Sequence, residues 1–242
     1  MIRIKNNVTP RLPNEYQELD YIESTGTQYI DTNYIINANT KIEDWITGNI
    51  DNASLNGSDG PNNSSISKFR FKYGFNLGNW AIGYADKWLS IYKTSKPIDT
   101  NTFYKFTIGK GIQKIEPDIF SYEYNYGLDA YPTRTMLLFA LRENTNKIMY
   151  ATNLKRKECK IYENNVLIRD FIPCYRKIDN VVGLYDLMNN QFYTNAGTGV
   201  FLMGTEVNKA DMNLVPMICN KKVSKRLIGE NLVHQASDEN NT

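Results

Sequence analysis

Apolar positions along this chain recur at every second residue, in short runs broken by Asn, Asp, Gly and Ser, and that spacing is the period of β-strands. The pattern is densest from Cys159 to Gly204, CKIYENNVLIRDFIPCYRKIDNVVGLYDLMNNQFYTNAGTGVFLMG, which predicts two consecutive hairpins. In the first, Asn164-Asn165 supplies the positive φ angles of a two-residue turn, setting Ile161 opposite Ile168 and Tyr162 opposite Leu167. One face then carries Cys159, Ile161, Val166 and Ile168. In the second, Val181 to Leu187 turns at Asn189-Asn190 and returns through Phe192 and Tyr193, before Gly197-Thr198-Gly199 turns the chain again.

Upstream, the same reading gives a series of short strands. Tyr21, Glu23 and then Gln28 to Asp31 predict a first strand pair around Thr25-Gly26, of the kind that brings the N-terminal strand beside the C-terminal one. Lys41 to Ile50 is a strand that runs into Asp51 to Ser67, a stretch so dense in Asn, Ser and Gly that it predicts a long exposed loop. Lys68 to Phe75 alternates without a break, with Phe69, Phe71, Tyr73 and Phe75 on one face and Lys68, Arg70 and Lys72 on the other. Trp80 to Tyr84 and Trp88 to Tyr92 predict a hairpin across Asp86-Lys87, and Phe103 to Ile108 and Ile119 to Tyr126 predict further strands. Thr135 to Leu141, TMLLFAL, is apolar on both faces and belongs in the middle of a covered sheet. With no amphipathic helix before residue 205, the expected fold is all-β, two packed antiparallel sheets.

Two stretches carry a resemblance. LPNEYQELDYIESTGTQYIDTNY, from Leu12 to Tyr34, together with IYENNVLIRDFIPCYR and VVGLYDLMNNQFYTNAGTG, resembles the opening and the end of a concanavalin A-like, laminin G-like family found in structural proteins of phages and prophages of low-GC Gram-positive bacteria. The resemblance implies a two-sheet jelly-roll sandwich over residues 12 to 204, preceded by an arm (1 to 11) and followed by a tail (205 to 242). It marks a fold rather than a reaction, and it implies a virion protein assembled in the bacterial cytoplasm.

Composition narrows the partners. The 242 residues hold 28 Lys and Arg against 26 Asp and Glu, and a net charge of +2 makes no field that would collect nucleic acid. No apolar run approaches a membrane span, and MIRIKNNVTP lacks the apolar core of a signal peptide. The four N-x-S/T matches between Asn52 and Ser65 are therefore read as loop composition. Cys159, Cys174 and Cys219 have neither CxxC spacing nor a neighbouring His, which predicts free thiols. After Gly204 alternation stops. There the basic cluster Lys221, Lys222, Lys225 and Arg226 lies among Val215, Met217, Ile218 and Leu227, apolar positions suited to docking on other virion proteins.

A glycoside hydrolase needs two facing carboxylates, and the nearest match, Glu116-Pro117-Asp118 with Glu123, has the wrong spacing and a proline inside the strand. His234 is the single histidine, no Gly-x-Ser-x-Gly elbow exists, and Gly109-Lys110-Gly111 lacks a phosphate-binding pattern. No catalytic residue and no resident metal are assigned. Calcium is open to Asp51, Asp59, Asp86 and Asp99 in loops, though nothing spaces them as a ligand set. What remains is saccharide binding by aromatic rings, with Trp45, Trp80 and Trp88 as candidates and Tyr122, Tyr124 and Tyr126 as a ladder. The expected function is a non-enzymatic virion protein of tail or capsid, adhering to cell-wall or mucosal glycans through repeated copies in a symmetric assembly. The alternative is a purely structural subunit that clamps its neighbours.

Overall fold

In a computed structural model, residues 11–48, 53–59, 68–73, 80–84, 87–90, 101–109, 111–116, 120–123, 132–142, 147–150 and 152–207 are described. Pro10–Val207 forms one compact unit, and the other unit, Met1–Thr9 with Asn208–Thr242, lies outside the described residues together with the docking positions expected there. Every regular element among the described residues is a strand.

In chain order these are β1 (Tyr16–Glu18), β2 (Ile22–Thr25), β3 (Ile30–Ile35), β4 (Thr40–Gly48), β5 (Ala53–Asp59), β6 (Lys68–Tyr73), β7 (Trp80–Tyr84), β8 (Lys87–Ser90), β9 (Tyr104–Gly109) and β10 (Ile112–Glu116). There follow β11 (Phe120–Glu123), β12 (Thr135–Leu138), β13 (Ala140–Arg142), β14 (Ile148–Tyr150), β15 (Thr152–Glu163), β16 (Val166–Arg176), β17 (Val181–Asp186), β18 (Gln191–Thr194) and β19 (Leu202–Met203). The larger sheet has the order β11-β10-β9-β4-β15-β16-β17-β18, with β1, β2 and β19 joined to it, and the smaller one holds β14-β13-β5-β6-β7-β8 with β12 and β3. Apart from a single parallel bridge between β13 and β5, the pairings are antiparallel.

The core lies between the sheets. Ile42 and Ile46 of β4, Phe106 and Ile108 of β9, Leu154 and Ile161 of β15 and Phe171 of β16 are buried from the larger sheet against Ile30, Met136 and Leu138 of the smaller. A second cluster covers the other face of the larger sheet, where Leu12 and Tyr16 pack on Ile172, Cys174 and Tyr185.

What organises the larger sheet is a fork. One edge of β15 pairs with β16 over Cys159–Glu163 but with β2 over Thr152–Arg156, while the facing edge of β16 pairs with β1 at its far end. β15 and β16 therefore splay apart, and residues 16–25 enter the gap as a V, down along β16 and back along β15. Residues 202–207 line the inside of that V: Leu202 and Met203 pair with β2, Asp20 N–H bonds the Thr205 carbonyl at 2.9 Å, and Val207 N–H bonds that of Glu18 at 2.9 Å. At the vertex only glycine fits, because a Cβ on Gly204 would stand 2.1 Å from Asp20 Oδ1 and 2.8 Å from the Tyr21 carbonyl oxygen.

Above the fork the opening motif bonds the closing one. Buried Gln28 accepts from the Thr25 N–H at 2.8 Å through Oε1 and donates through Nε2 to the Thr198 carbonyl at 3.1 Å. Ala196 N–H bonds the Tyr29 carbonyl, and Tyr29 N–H bonds Asn195 Oδ1. The stretches Tyr16–Tyr34 and Val181–Val207 thus meet in space, and the N-terminal strand does lie beside the C-terminal one.

Several expectations change. β2 and β3 are not a hairpin: they belong to different sheets, because Thr25 to Gln28 close into the bonded corner just described. Tyr162 does face Leu167, but a bulge between Ile161 and Tyr162 sets Ile161 opposite Arg169 and Cys159 opposite Phe171. Asn164 and Asn165 have the positive φ angles of the expected turn (51° and 63°), whereas Val166 is 64% exposed rather than on the buried face. The stretch expected to be a loop contains β5, a polar strand paired with β6 and β12 through backbone bonds that need no apolar side chains. Lys87 already belongs to β8, opposite Tyr84, one residue earlier than expected. Thr135–Leu141 is buried from Met136 onward but is two strands, broken at Phe139, whose φ of 66° lies in the left-handed region. That ring sits under the Arg156 guanidinium, 4.1 Å from its centroid, and 4.8 Å from Phe201, and this packing holds the break.

Candidate functional site

Alternation along β4 sends Ile42, Asp44 and Ile46 into the core and Lys41, Glu43 and Trp45 to the outer face of the larger sheet. β9 and β15 flank β4 and set Lys105 and Glu158 directly beside Trp45. The Lys105 and Lys160 ammonium groups lie 5.1 and 5.5 Å from the Trp45 ring centroid, one from each neighbouring strand. Lys41 stands 4.1 Å from the Tyr162 ring, and Lys155 and Lys157 approach Tyr21 and Phe103, whose rings are 6.0 Å apart. The face is a row of rings, each beside a lysine.

Carboxylates fill the gaps. Lys41 lies 3.3 Å from Glu43, Lys105 3.1 Å from Glu116, Lys114 2.7 Å from Glu116 and Lys160 2.8 Å from Glu158. The bond from Lys114, with help from Lys105, holds the Glu116 carboxyl below its usual range. Burial, with Glu43 close by, pushes the Tyr162 phenol up to about 12. The lysines outnumber the carboxylates, but Glu43, Glu116 and Glu158 pair with four of them, so the face carries both donors and acceptors.

A cleft of about 380 Å³ opens at one end of this row. Ala38 and Asn39 come from the turn before β4, Ile112 from the start of β10, and Asn164 and Asn165 from the turn between β15 and β16. Its floor is rigid. Thr40 Oγ1 lies 2.7 Å from the Tyr34 hydroxyl and accepts from Asn37 N–H at 2.9 Å, while Asn37 Nδ2 donates to Glu163 at 3.0 Å.

The residues singled out by sequence fall in different places. Trp45 is half-buried on the outer face, whereas Trp80 and Trp88 lie on β7 and β8 of the smaller sheet, Trp80 opposite Tyr73 and Trp88 opposite Gly83. The three tryptophans do not share one sheet. Tyr122 lies on β11 opposite Gln113, and Tyr124 and Tyr126 lie outside the described residues. Val215, Met217, Ile218, Lys221, Lys222, Lys225, Arg226 and Leu227, and also His234, Cys219, Asp51, Asp86 and Asp99, lie outside them too.

Glu123 pairs with Ile112, four positions along β10 from Glu116, an offset of about 13 Å at roughly 3.3 Å per residue. Among the described residues no group of three His, Cys, Asp or Glu side chains is placed to hold a metal ion, and no helix is long and apolar enough to cross a membrane. Cys159 and Cys174 are buried free thiols, and burial pushes Cys159 well up and Cys174 to about 12.

Sequence reasoning missed two features. The buried Asp44–Arg156 ion pair had a signal, an acid on the apolar parity of β4. The cleft had none, because residues from three distant turns build it. No family model matches the chain, and no match to it is found among curated proteins or solved structures.

Proposed function

We propose that the chain is a non-enzymatic virion protein whose sandwich is a concanavalin A-like jelly roll and adheres to host cell-wall or mucosal glycans. The observation that carries this reading is the outer face of the larger sheet, where Trp45 stands between Lys105 and Lys160 among Glu43, Glu116 and Glu158. Interleaved donors and acceptors around apolar rings match a polyhydroxylated ligand, whose hydroxyls need both and whose C–H faces stack on the face of a ring. Such a face binds weakly, and repetition on a particle supplies the avidity. The test is a glycan and cell-wall array probed with a multimerised full chain. Saccharide binding that disappears with Trp45→Ala at unchanged melting temperature supports the reading, and an array without signal refutes it.

A second reading, a structural subunit that clamps its neighbours, rests on a different surface. Val200, Leu202 and Met203 are 73%, 47% and 53% exposed and, with Val181 and Val182, line a groove of about 610 Å³. Contiguous exposed apolar side chains mark contact surfaces. Leu202→Glu abolishes incorporation into particles if this reading holds, and leaves it unchanged if adhesion is the whole function.

A further inference from the structure

We infer that the cleft at the three turns is a binding site for a neutral saccharide, with an acetamido sugar as its best-matched ligand. This rests on the adhesion reading only for the ligand class, and it places the sugar at a different site from Trp45. The first observation is hydrogen-bonding capacity. Asn39, Asn164 and Asn165, all exposed, line the cleft, and no hydrogen bond joins their side-chain amides to the described residues. The backbone around them is meanwhile fixed, with Asn164 N–H bonding the Asn39 carbonyl at 3.2 Å and Asn39 N–H bonding Asn37 Oδ1 at 2.9 Å. Each amide offers two donors and an acceptor, the complement of a pair of neighbouring sugar hydroxyls or of another amide.

Charge is the second observation. Among the described residues the one cation on the cleft is Lys41, and it is engaged by Glu43 at 3.3 Å and by the Tyr162 ring at 4.1 Å, which favours a neutral ligand over an anionic one. Size and lining are the third. The volume of about 380 Å³ lies near the lower end of the roughly 300–1,000 Å³ of ligand clefts, room for about one or two sugar rings. Ile112 and Ala38 add apolar lining, against which the methyl of an acetamido group would lie while its amide pairs with an asparagine. Asn164 and Asn165 also serve the turn through their positive φ.

The test is an NMR titration of the full chain with tri-N-acetylchitotriose and with cellotriose. The expected result is millimolar binding, tighter for the acetamido sugar, with shifts at the side-chain amides of Asn39, Asn164 and Asn165, and little change when salt is raised to about 0.5 M. Asn165→Gly keeps the left-handed backbone and removes an amide, and with Asn39→Ala it should weaken binding about three- to tenfold. Ala38→Trp, which fills the cleft, should abolish binding, with an unchanged amide spectrum elsewhere showing the fold intact. Absence of binding by both sugars, or stronger binding by an acidic polysaccharide, overturns the inference. Binding that survives Ala38→Trp but is lost in Trp45→Ala overturns it too, while leaving the adhesion reading standing.

Discussion

Removing the guanidinium of Arg156 should cost this protein a large part of its stability. Arg156 and Asp44 are both 0% exposed, and they meet in two parallel bonds, Nε to Oδ1 at 2.8 Å and Nη2 to Oδ2 at 2.9 Å. Arg156→Met keeps the length of the side chain but leaves a carboxylate in the core without its bidentate partner. Breaking a buried pair from one side costs about 3–5 kcal/mol, whereas replacing both members by apolar residues is often neutral. Loss of the guanidinium over the Phe139 ring adds up to about 2 kcal/mol. For a unit of this size about 2–4 °C of melting temperature goes with each kcal/mol, so the single variant should melt on the order of 10–20 °C lower. The double variant Asp44→Leu, Arg156→Met should recover most of that loss, giving a coupling of about 3 kcal/mol in a double-mutant cycle. Urea unfolding followed by tryptophan fluorescence measures both. A single variant that loses under about 1 kcal/mol, or a double variant as unstable as the sum of the singles, would refute the idea that this pair is dry and mutually dependent.

Other expectations follow from the same reasoning. Burial pushes the Asp170 carboxyl above its usual range against the opposing pull of Lys160, and its Oδ1 is buried without a hydrogen-bond partner. A raised carboxyl favours folding while protonated, so the stability that Asp170 contributes is fully present below about pH 4 and is lost as pH rises through the folded value. Asp170→Asn should therefore gain stability relative to the parent between about pH 4 and 7, and parallel melting curves across that range would sink the argument. Asn165→Val should cost about 1–2 kcal/mol, because a β-branched residue is forced to φ 63°, while Asn165→Gly should be close to neutral; equal melting temperatures for the two would contradict the turn geometry. With Cys219 changed to Ser, the native protein should show no fast-reacting thiol at neutral pH and two after denaturation, and rapid labelling of the folded form would show that Cys159 or Cys174 is not shielded. Gly204→Ala should disrupt the vertex of the fork and lower the melting temperature, which differential scanning calorimetry would record.

The second half of the chain is legible in sequence because its instructions are local. Asn164-Asn165 and Asn189-Asn190 dictate hairpins between residues a few positions apart, and β15 to β18 lie side by side in chain order. Register failed where a bulge intervened at Ile161, since one extra residue shifts every partner beyond it. The fork was out of reach for a different reason: Gln28 bonds Thr198 from 170 positions away, and no periodicity encodes such a partner. β5 was hidden by composition, because a strand inside a sheet can be held by its backbone alone. Trp45 could be named as a surface ring, but its lysine neighbours belong to strands whose register sequence does not fix.

The fork also determines how this unit carries load. Arg11 bonds and pairs with Glu18, and Val207 bonds the Glu18 carbonyl, so the chain passes into and out of the unit beside a single residue. Antiparallel strands pulled apart from adjacent ends open like a zipper. Tension along the C-terminal flank therefore falls on the bonds of 202–207 one at a time, beginning at Val207, whereas tension along the N-terminal flank meets β1 and its pairing with β16. Pulled from the C-terminal side, the lining of the V yields before β1 and β2, because its bonds lie in series with the pull.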